Sequence, residues 1–136
     1  MALLASAFKA PRVFKHAIRA HGFGLRKGLG GTVTQLTNRT TGVTLNKICG
    51  TITTNNASLA AENAAEFTVT NAKVGIADVV LVCQQSGSNS GNTDVYVSGT
   101  AEGSFKIKVA NNNVAAGTAE TGAILINFTV IKSVTN

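Results

Sequence analysis

The chain has 136 residues, a formal net charge of +6 and 44% hydrophobic residues, but no Trp, one Tyr and only two Cys. This length suits one domain with an appendage. Two cysteines are too few for a small fold stapled by disulfides, and no stretch is long and apolar enough to cross a membrane as a helix.

The charge is unevenly placed. Residues 1–31 hold Lys9, Arg12, Lys15, Arg19, Arg26 and Lys27 with no carboxylate. The remaining six cations, from Arg39 to Lys132, are balanced by six carboxylates, from Glu62 to Glu120. The division is therefore a basic N-terminal arm with a Gly-rich hinge (1–31) and a neutral body (32–136). The arm also carries Phe8, Phe14 and Phe23, half of the six Phe. Arg-rich, acid-free, amphipathic segments also occur as organelle transit peptides, but this one is read as a retained part of the protein. A secretory signal fits poorly, because Ala2–Ala7 is a short apolar region and the charge follows it.

Within the arm, residues 11–21 form the best helix candidate. Pro11 suits a first turn, Val13, Phe14, Ala17 and Ile18 share one face, and Gly22 is placed to end it. About three turns are marginal for an isolated helix, so order is expected only against a partner. Gly22-Phe-Gly24 and Gly28-Leu-Gly30-Gly31 then serve as joints.

The body is rich in Thr, Val, Ala, Asn and Gly and lacks Pro, a composition that favours strands and polar turns. A first strand is expected over 32–37. A longer one over 43–54 is interrupted at Gly50, and 59–64 makes a short helical turn or loop. Residues 66–71 alternate, with Phe67 and Val69 inward. Residues 78–84 are apolar on both faces, the pattern of a strand covered on both sides. A Gly/Ser/Asn loop over 86–92 precedes 93–98, with Val95 and Val97 inward. Residues 104–111 place Phe105, Ile107 and Val109 on one face and Lys106 and Lys108 on the other. The last strand, 123–131, turns Ile124, Ile126, Phe128 and Val130 inward and leaves Leu125 and Ile131 outside. About seven strands without long intervening helices predict an all-β, antiparallel β-sandwich. Val80, Val82, Leu125 and Ile131 are the candidate subunit interface, because a second apolar face is expected to be buried between copies.

Catalytic residues are absent from this reading. His16 and His21 both lie in the arm, five apart, off a shared helical face. No His stands in the body to activate a hydroxyl, and no Gly-x-Ser-x-Gly occurs. Gly22 to Gly28 approaches a dinucleotide fingerprint, but its third Gly is one place late and no strand precedes it. No metal or other cofactor is expected. Cys49 and Cys83 are expected to pack as small apolar residues, their pairing left open. The sequons at Asn38, Asn56 and Asn127 are discounted as chance matches in an Asn/Thr-rich chain.

The arm carries the functional signal. Phe8, Lys9, Arg12, Phe14, Lys15, Ile18, Arg19, Phe23, Arg26 and Lys27 are the candidate partner-binding residues. An acidic protein surface with apolar grooves ranks first, because three Phe exceed what phosphate contact needs. Nucleic acid ranks second, and an anionic membrane surface ranks below it.

A resemblance adds to this. Arg39-Thr-Thr-Gly-Val-Thr-Leu-Asn-Lys47, continuing through Ile48-Cys-Gly-Thr-Ile-Thr53, resembles small virion structural proteins of tailed bacteriophages. So do Glu66-Phe-Thr-Val-Thr-Asn71, Asp78-Val-Val-Leu-Val82, Gly103-Ser-Phe-Lys-Ile107 and Ile126-Asn-Phe-Thr-Val-Ile-Lys132. The likeness spans most of 33–132 and is one of strand sequences; the arm lies outside it. It implies a non-enzymatic capsid decoration, cement or head-fibre β-domain on the virion surface, homotrimeric, whose partners are the major capsid protein and itself. The alternatives are a tail or adaptor component, or an inner-face protein whose arm touches DNA. A carbohydrate-binding module is disfavoured, since Tyr96 is the only Tyr and Trp is absent.

Overall fold

Alternation of apolar and polar residues places most of the body in extended chain, and the computed structural model, which describes residues 27–133, has eight strands. They are β1 (Thr32–Thr34), β2 (Val43–Thr44), β3 (Cys49–Thr53), β4 (Ala64–Thr70), β5 (Val79–Ser86), β6 (Thr93–Ala101), β7 (Ser104–Asn111) and β8 (Leu125–Ile131). Among the described residues there is no helix. The strands form two four-stranded sheets packed face to face. Sheet one runs β1-β3-β8-β5 and sheet two runs β2-β4-β7-β6. The expected all-β sandwich is thus observed. The helix candidate at 11–21 lies outside the described residues.

The sheets are mixed rather than purely antiparallel. β1 pairs β3 in parallel, and β2 pairs β4 in parallel; the other pairings are antiparallel. The cause is the path of the chain. From β1 to β6 it changes sheet at every step, so β1 and β3 each meet after an excursion through the opposite sheet. Direct reversal within a sheet occurs only at β6–β7, where Gly103 takes φ 73°. Residues 43–54, expected as one interrupted strand, are therefore two strands in different sheets, separated at 45–48. Gly50 is not the break. It lies inside β3 facing inward, where an added Cβ would come within 2.6 Å of the Gly31 carbonyl oxygen and 3.0 Å of the Phe128 ring. Glycine is needed there for close packing.

The core lies between the sheets. Ile52, Phe67, Val69, Phe105, Ile107, Val109, Ile124, Ile126 and Phe128 are buried, with Val43, Val74, Val80 and Val130 around them. Phe105 of β7 and Phe128 of β8 join the two layers, their rings 5.3 Å apart and tilted by 51°, a favoured aromatic geometry. The inward faces expected for β4, β7 and β8 are observed. Val95 and Val97 of β6 pack against the core from the edge.

At one end, two loops approach unusually closely. Gly87 has φ 94°, and a Cβ there would run into the Ala123 carbonyl; a Cβ at Gly122 would run into the Gly87 carbonyl. Gly87→Ala combines a strained left-handed backbone with a backbone clash. It is expected to destabilise the fold by about 2–4 kcal/mol, read as a lower urea midpoint at unchanged m-value.

Candidate interaction surfaces

The most polar buried region joins the loops at the Gly87 end. Glu120 is fully buried, and its carboxylate accepts from Ser88 Oγ (2.5 Å), Thr93 Oγ1 (2.7 Å), the Ser90 amide (3.1 Å), the Asn89 amide (3.2 Å) and the Gly122 amide (2.7 Å). Arg39, also buried, donates to the Ala57 carbonyl, to Glu120 O (3.2 Å), to Gly122 O (2.9 Å) and to Thr54 Oγ1 (3.5 Å). The carboxylate thus bonds hydroxyls and amides, while the guanidinium bonds mainly carbonyls. Gln35 completes the lattice, giving its amide to Arg39 O (3.0 Å) and Thr41 O (2.7 Å) and accepting from the Asn55 amide (3.0 Å). Among the described residues, no buried side-chain nitrogen or oxygen lacks a partner. This cluster is structural: every polar atom is committed to the loops.

Burial raises the Glu120 pKa, but hydrogen bonds from Ser88, Thr93, Ser90 and Asn89 outweigh it and hold the group at about 2, below the ordinary 4.5. Desolvation lowers the Arg39 pKa, with the charge of Glu120 opposing. In the sequence both residues count only among the balanced charges of the body. A lone loop carboxylate and a lone loop Arg separated by 81 positions carry no local signal of their shared burial.

The arm joins the body at the opposite end. Lys27 is exposed, Gly28 has φ 91°, and the Gly28 carbonyl accepts from Lys47 Nζ at 3.4 Å. Gly28, Leu29, Asn46, Lys47, Ile48 and Lys73 line a shallow hollow there. Gly31 O accepts from the Thr51 amide (2.9 Å), so the last residues of the expected hinge already pack on the body. Nearby, Asp78 is ion-paired with Lys132 and accepts from the amides of Gly75 (2.7 Å) and Ser133 (3.0 Å). The Lys132 bond first, then the two amides, hold its pKa at about 2, below 3.8. Of the partner-binding residues expected in the arm, only Lys27 is described; Phe8, Lys9, Arg12, Phe14, Lys15, Ile18, Arg19, Phe23 and Arg26 lie outside the described residues.

The two outer sheet faces differ. Sheet two presents Glu66, Lys106, Lys108, Asp94 and Tyr96, with Lys106 Nζ 3.0 Å from Glu66 Oε1 and Ser98 Oγ donating to Glu66 Oε2 at 2.7 Å. Sheet one presents Thr32, Thr34, Cys49, Thr51, Thr53, Leu125, Asn127, Thr129, Ile131, Val79, Leu81 and Cys83, none of them charged. Val79, Leu81 and Ile131 are half exposed on this face. Of the four interface candidates, Leu125 and Ile131 do face outward. Val80 and Val82 do not: Val80 is buried and Val82 packs against the core, because β5 registers Val80 with Val130 and Val82 with Phe128. Their neighbours Val79 and Leu81 take the outward places. Both cysteines are free; Cys49 is half-buried, but Cys83 is exposed on this face and does not pack inside as expected.

No group of three or more His, Cys, Asp or Glu side chains converges among the described residues. Comparison with protein-family models, with curated proteins and with solved structures finds no match to the chain.

A carboxylate whose folded-state pKa lies below its ordinary value stabilises the fold above the ordinary pKa and loses that contribution as pH falls through the lower one. Stability is therefore expected to drop between about pH 4.5 and about pH 2 as Glu120 and Asp78 take up protons. Glu120→Gln should cost about 3 kcal/mol at pH 7 by opposing an amide NH2 to backbone donors. It should also flatten the acid limb of a chemical-denaturation series run from pH 7 to pH 2. An unchanged limb would remove Glu120 from this role.

Proposed function

We propose that this chain is a non-enzymatic virion structural protein, a capsid decoration or cement protein of the tailed-bacteriophage kind that its strand sequences resemble. The body is the displayed module and the N-terminal arm is the anchor. The observation that carries this reading is the partition of charge and apolar bulk. All of the net charge, with half of the Phe, belongs to residues 1–31, while the body is neutral. Phe8, Phe14, Ile18 and Phe23 would fill grooves of the major capsid protein, and Arg12, Lys15, Arg19, Arg26 and Lys27 would meet its acidic groups. Such binding across capsomer boundaries adds free energy that resists shell expansion. Copies of the chain associate with one another in the same reading, as a homotrimer, on the capsid surface. The body's polar clusters support the division: the Arg39–Glu120 lattice is wholly engaged with its own loops and offers no reacting group.

A second reading places the protein in a tail, adaptor or head fibre, or on the inner face of the shell with the arm on DNA. One observation favours the DNA version: Lys47 and Lys73 flank the arm's root and extend its positive charge onto the body. Salt separates the two. Phosphate binding weakens steeply as salt rises, whereas Phe-anchored docking weakens less.

Deletion of residues 2–26 is expected to leave a folded body with an unchanged β-sheet circular dichroism spectrum and to abolish co-sedimentation with intact particles. Full occupancy by the truncated chain would refute the anchor. In the full chain, Phe14→Ala with Ile18→Ala should weaken particle binding at least tenfold at physiological salt, while a charge-only mechanism predicts little change.

A further inference from the structure

We propose that the hollow at the root of the arm is a second docking point, which takes an acidic polypeptide segment carrying one large apolar side chain. The inference deepens the proposed function by carrying the partner contact from the arm onto the body. It rests on that reading only in assigning the site to a virion partner.

Three observations carry it. First, cations without a carboxylate gather here. Among the described residues Lys106 and Lys108 are paired with Glu66, Lys132 with Asp78, and Arg39 is held mainly by loop carbonyls. Lys47 and Lys73 have no such ion pair among those residues and line the same hollow, and Lys27 precedes Gly28 at its edge. The carboxylates at this end are occupied: Asp78 by Lys132 and two amides, and Glu102 by the Ile76 amide at 3.2 Å. Second, the two lysines are held from beneath. Asn71 is fully buried; its Nδ2 donates to the Lys47 carbonyl (2.7 Å) and its Oδ1 accepts from the Lys73 amide (3.0 Å). Asn46 Oδ1 accepts from the Ala72 amide (2.8 Å), and Lys47 Nζ donates to the Gly28 carbonyl (3.4 Å). Two loops and the arm's root are thus stitched together, and groups ordered in advance lose less entropy on binding. Third, the lining is apolar beside the lysines, through Leu29 and Ile48. The hollow measures about 270 Å³, below the roughly 300–1,000 Å³ of small-molecule sites, which suits one side chain.

These features choose the occupant. Charge alone would serve a phosphate backbone equally well. Phosphate contact leaves the apolar lining unused, and binders of single-stranded nucleic acid stack bases on aromatic rings, none of which lines this hollow. The chain's own arm is repelled, because residues 1–26 hold five cations and no carboxylate. A second copy offers, outside its ion pairs and its buried lattice, only Glu62, Asp94 and Glu102, each on a different element. An acidic segment of another protein, with a Leu-like or Phe-like side chain for the hollow, meets both the charge and the lining.

The test uses the full chain and three fluorescein-labelled probes at physiological salt: a peptide of eight Glu with one central Leu, the same peptide with Ser in place of Leu, and a twenty-base-pair DNA duplex. Binding is read by fluorescence anisotropy and its location by amide NMR chemical shifts. The Leu peptide is expected to bind at least threefold more tightly than the Ser peptide and to shift the amides of Gly28, Leu29, Lys47, Ile48 and Lys73. Lys47→Gln with Lys73→Gln should weaken the Leu peptide at least fivefold. Lys106→Gln with Lys108→Gln, which removes the same charge from sheet two, should change it less than twofold. Leu29→Ser should erase the preference for Leu at an unchanged melting temperature. Equal weakening by the two charge pairs overturns the proposal, and so does a Ser peptide that binds as tightly as the Leu peptide or a Leu peptide that shifts none of these amides. Duplex binding that depends on Lys47 and Lys73 more than peptide binding does would make this a phosphate site and overturns it too. Peptide binding at the hollow by a chain that fails to bind particles would remove the proposed function and leave this site standing.

Discussion

The burial of Glu120 and Arg39 is the constraint on which the loop end of this sandwich depends. Two charges are taken out of water without a direct ion pair, an arrangement that is costly unless each finds a full set of hydrogen bonds. Each does. The carboxylate collects donors from Ser88, Asn89, Ser90, Thr93 and Gly122, and the guanidinium collects acceptors from Ala57, Thr54, Glu120 and Gly122. Four loops of different sequence position thereby share one polar lattice. The contact of Gly87 with the 122–123 backbone is the steric counterpart, since it brings Ser88–Ser90 to the carboxylate.

That lattice closes one end of the sandwich, and the arm leaves from the other. Asn71 steadies the arm end in a similar way, with Nδ2 on the Lys47 carbonyl at 2.7 Å and Oδ1 accepting from the Lys73 amide at 3.0 Å. The consequence is a body with distinct regions: a locked loop end, a basic root, a charged sheet face and a charge-free sheet face.

How much of this was legible in the sequence depended on whether one face of a strand was polar. β7 was fully readable because Lys106 and Lys108 alternate with Phe105, Ile107 and Val109, and β8 because Asn127 and Thr129 alternate with Ile126, Phe128 and Val130. In β5 the run Val79–Cys83 is apolar at every position, so period two cannot choose which residues face the core. The register with β8 makes that choice, and it put Val80 and Val82 inside. Residues 43–54 differ for another reason: β2 and most of β3 are extended and β-branched, and the short Asn46-Lys47 polar pair between them does not by itself mark a change of sheet. The candidate partner-binding residues of the arm rest on composition and helical spacing, and all but Lys27 fall outside the described residues. The Arg39–Glu120 lattice was invisible because its members meet only after the loops have closed.

The order of strands also bears on how the chain reaches this state. β8 follows all the other strands in sequence yet occupies an interior place in sheet one, between β3 and β5. Until it arrives, β3 and β5 have no common neighbour, Phe105 lacks its Phe128 partner, and sheet one is no more than the β1–β3 pair and a lone β5. Most of the contacts are long-range, a topology that folds slowly because large loops must close before packing rewards them. During synthesis the apolar strand β5 therefore waits, unpaired, for a segment made much later. For that interval Val79, Leu81 and their neighbours are exposed on a free strand rather than on a sheet, and nascent copies are most vulnerable to wrong pairing.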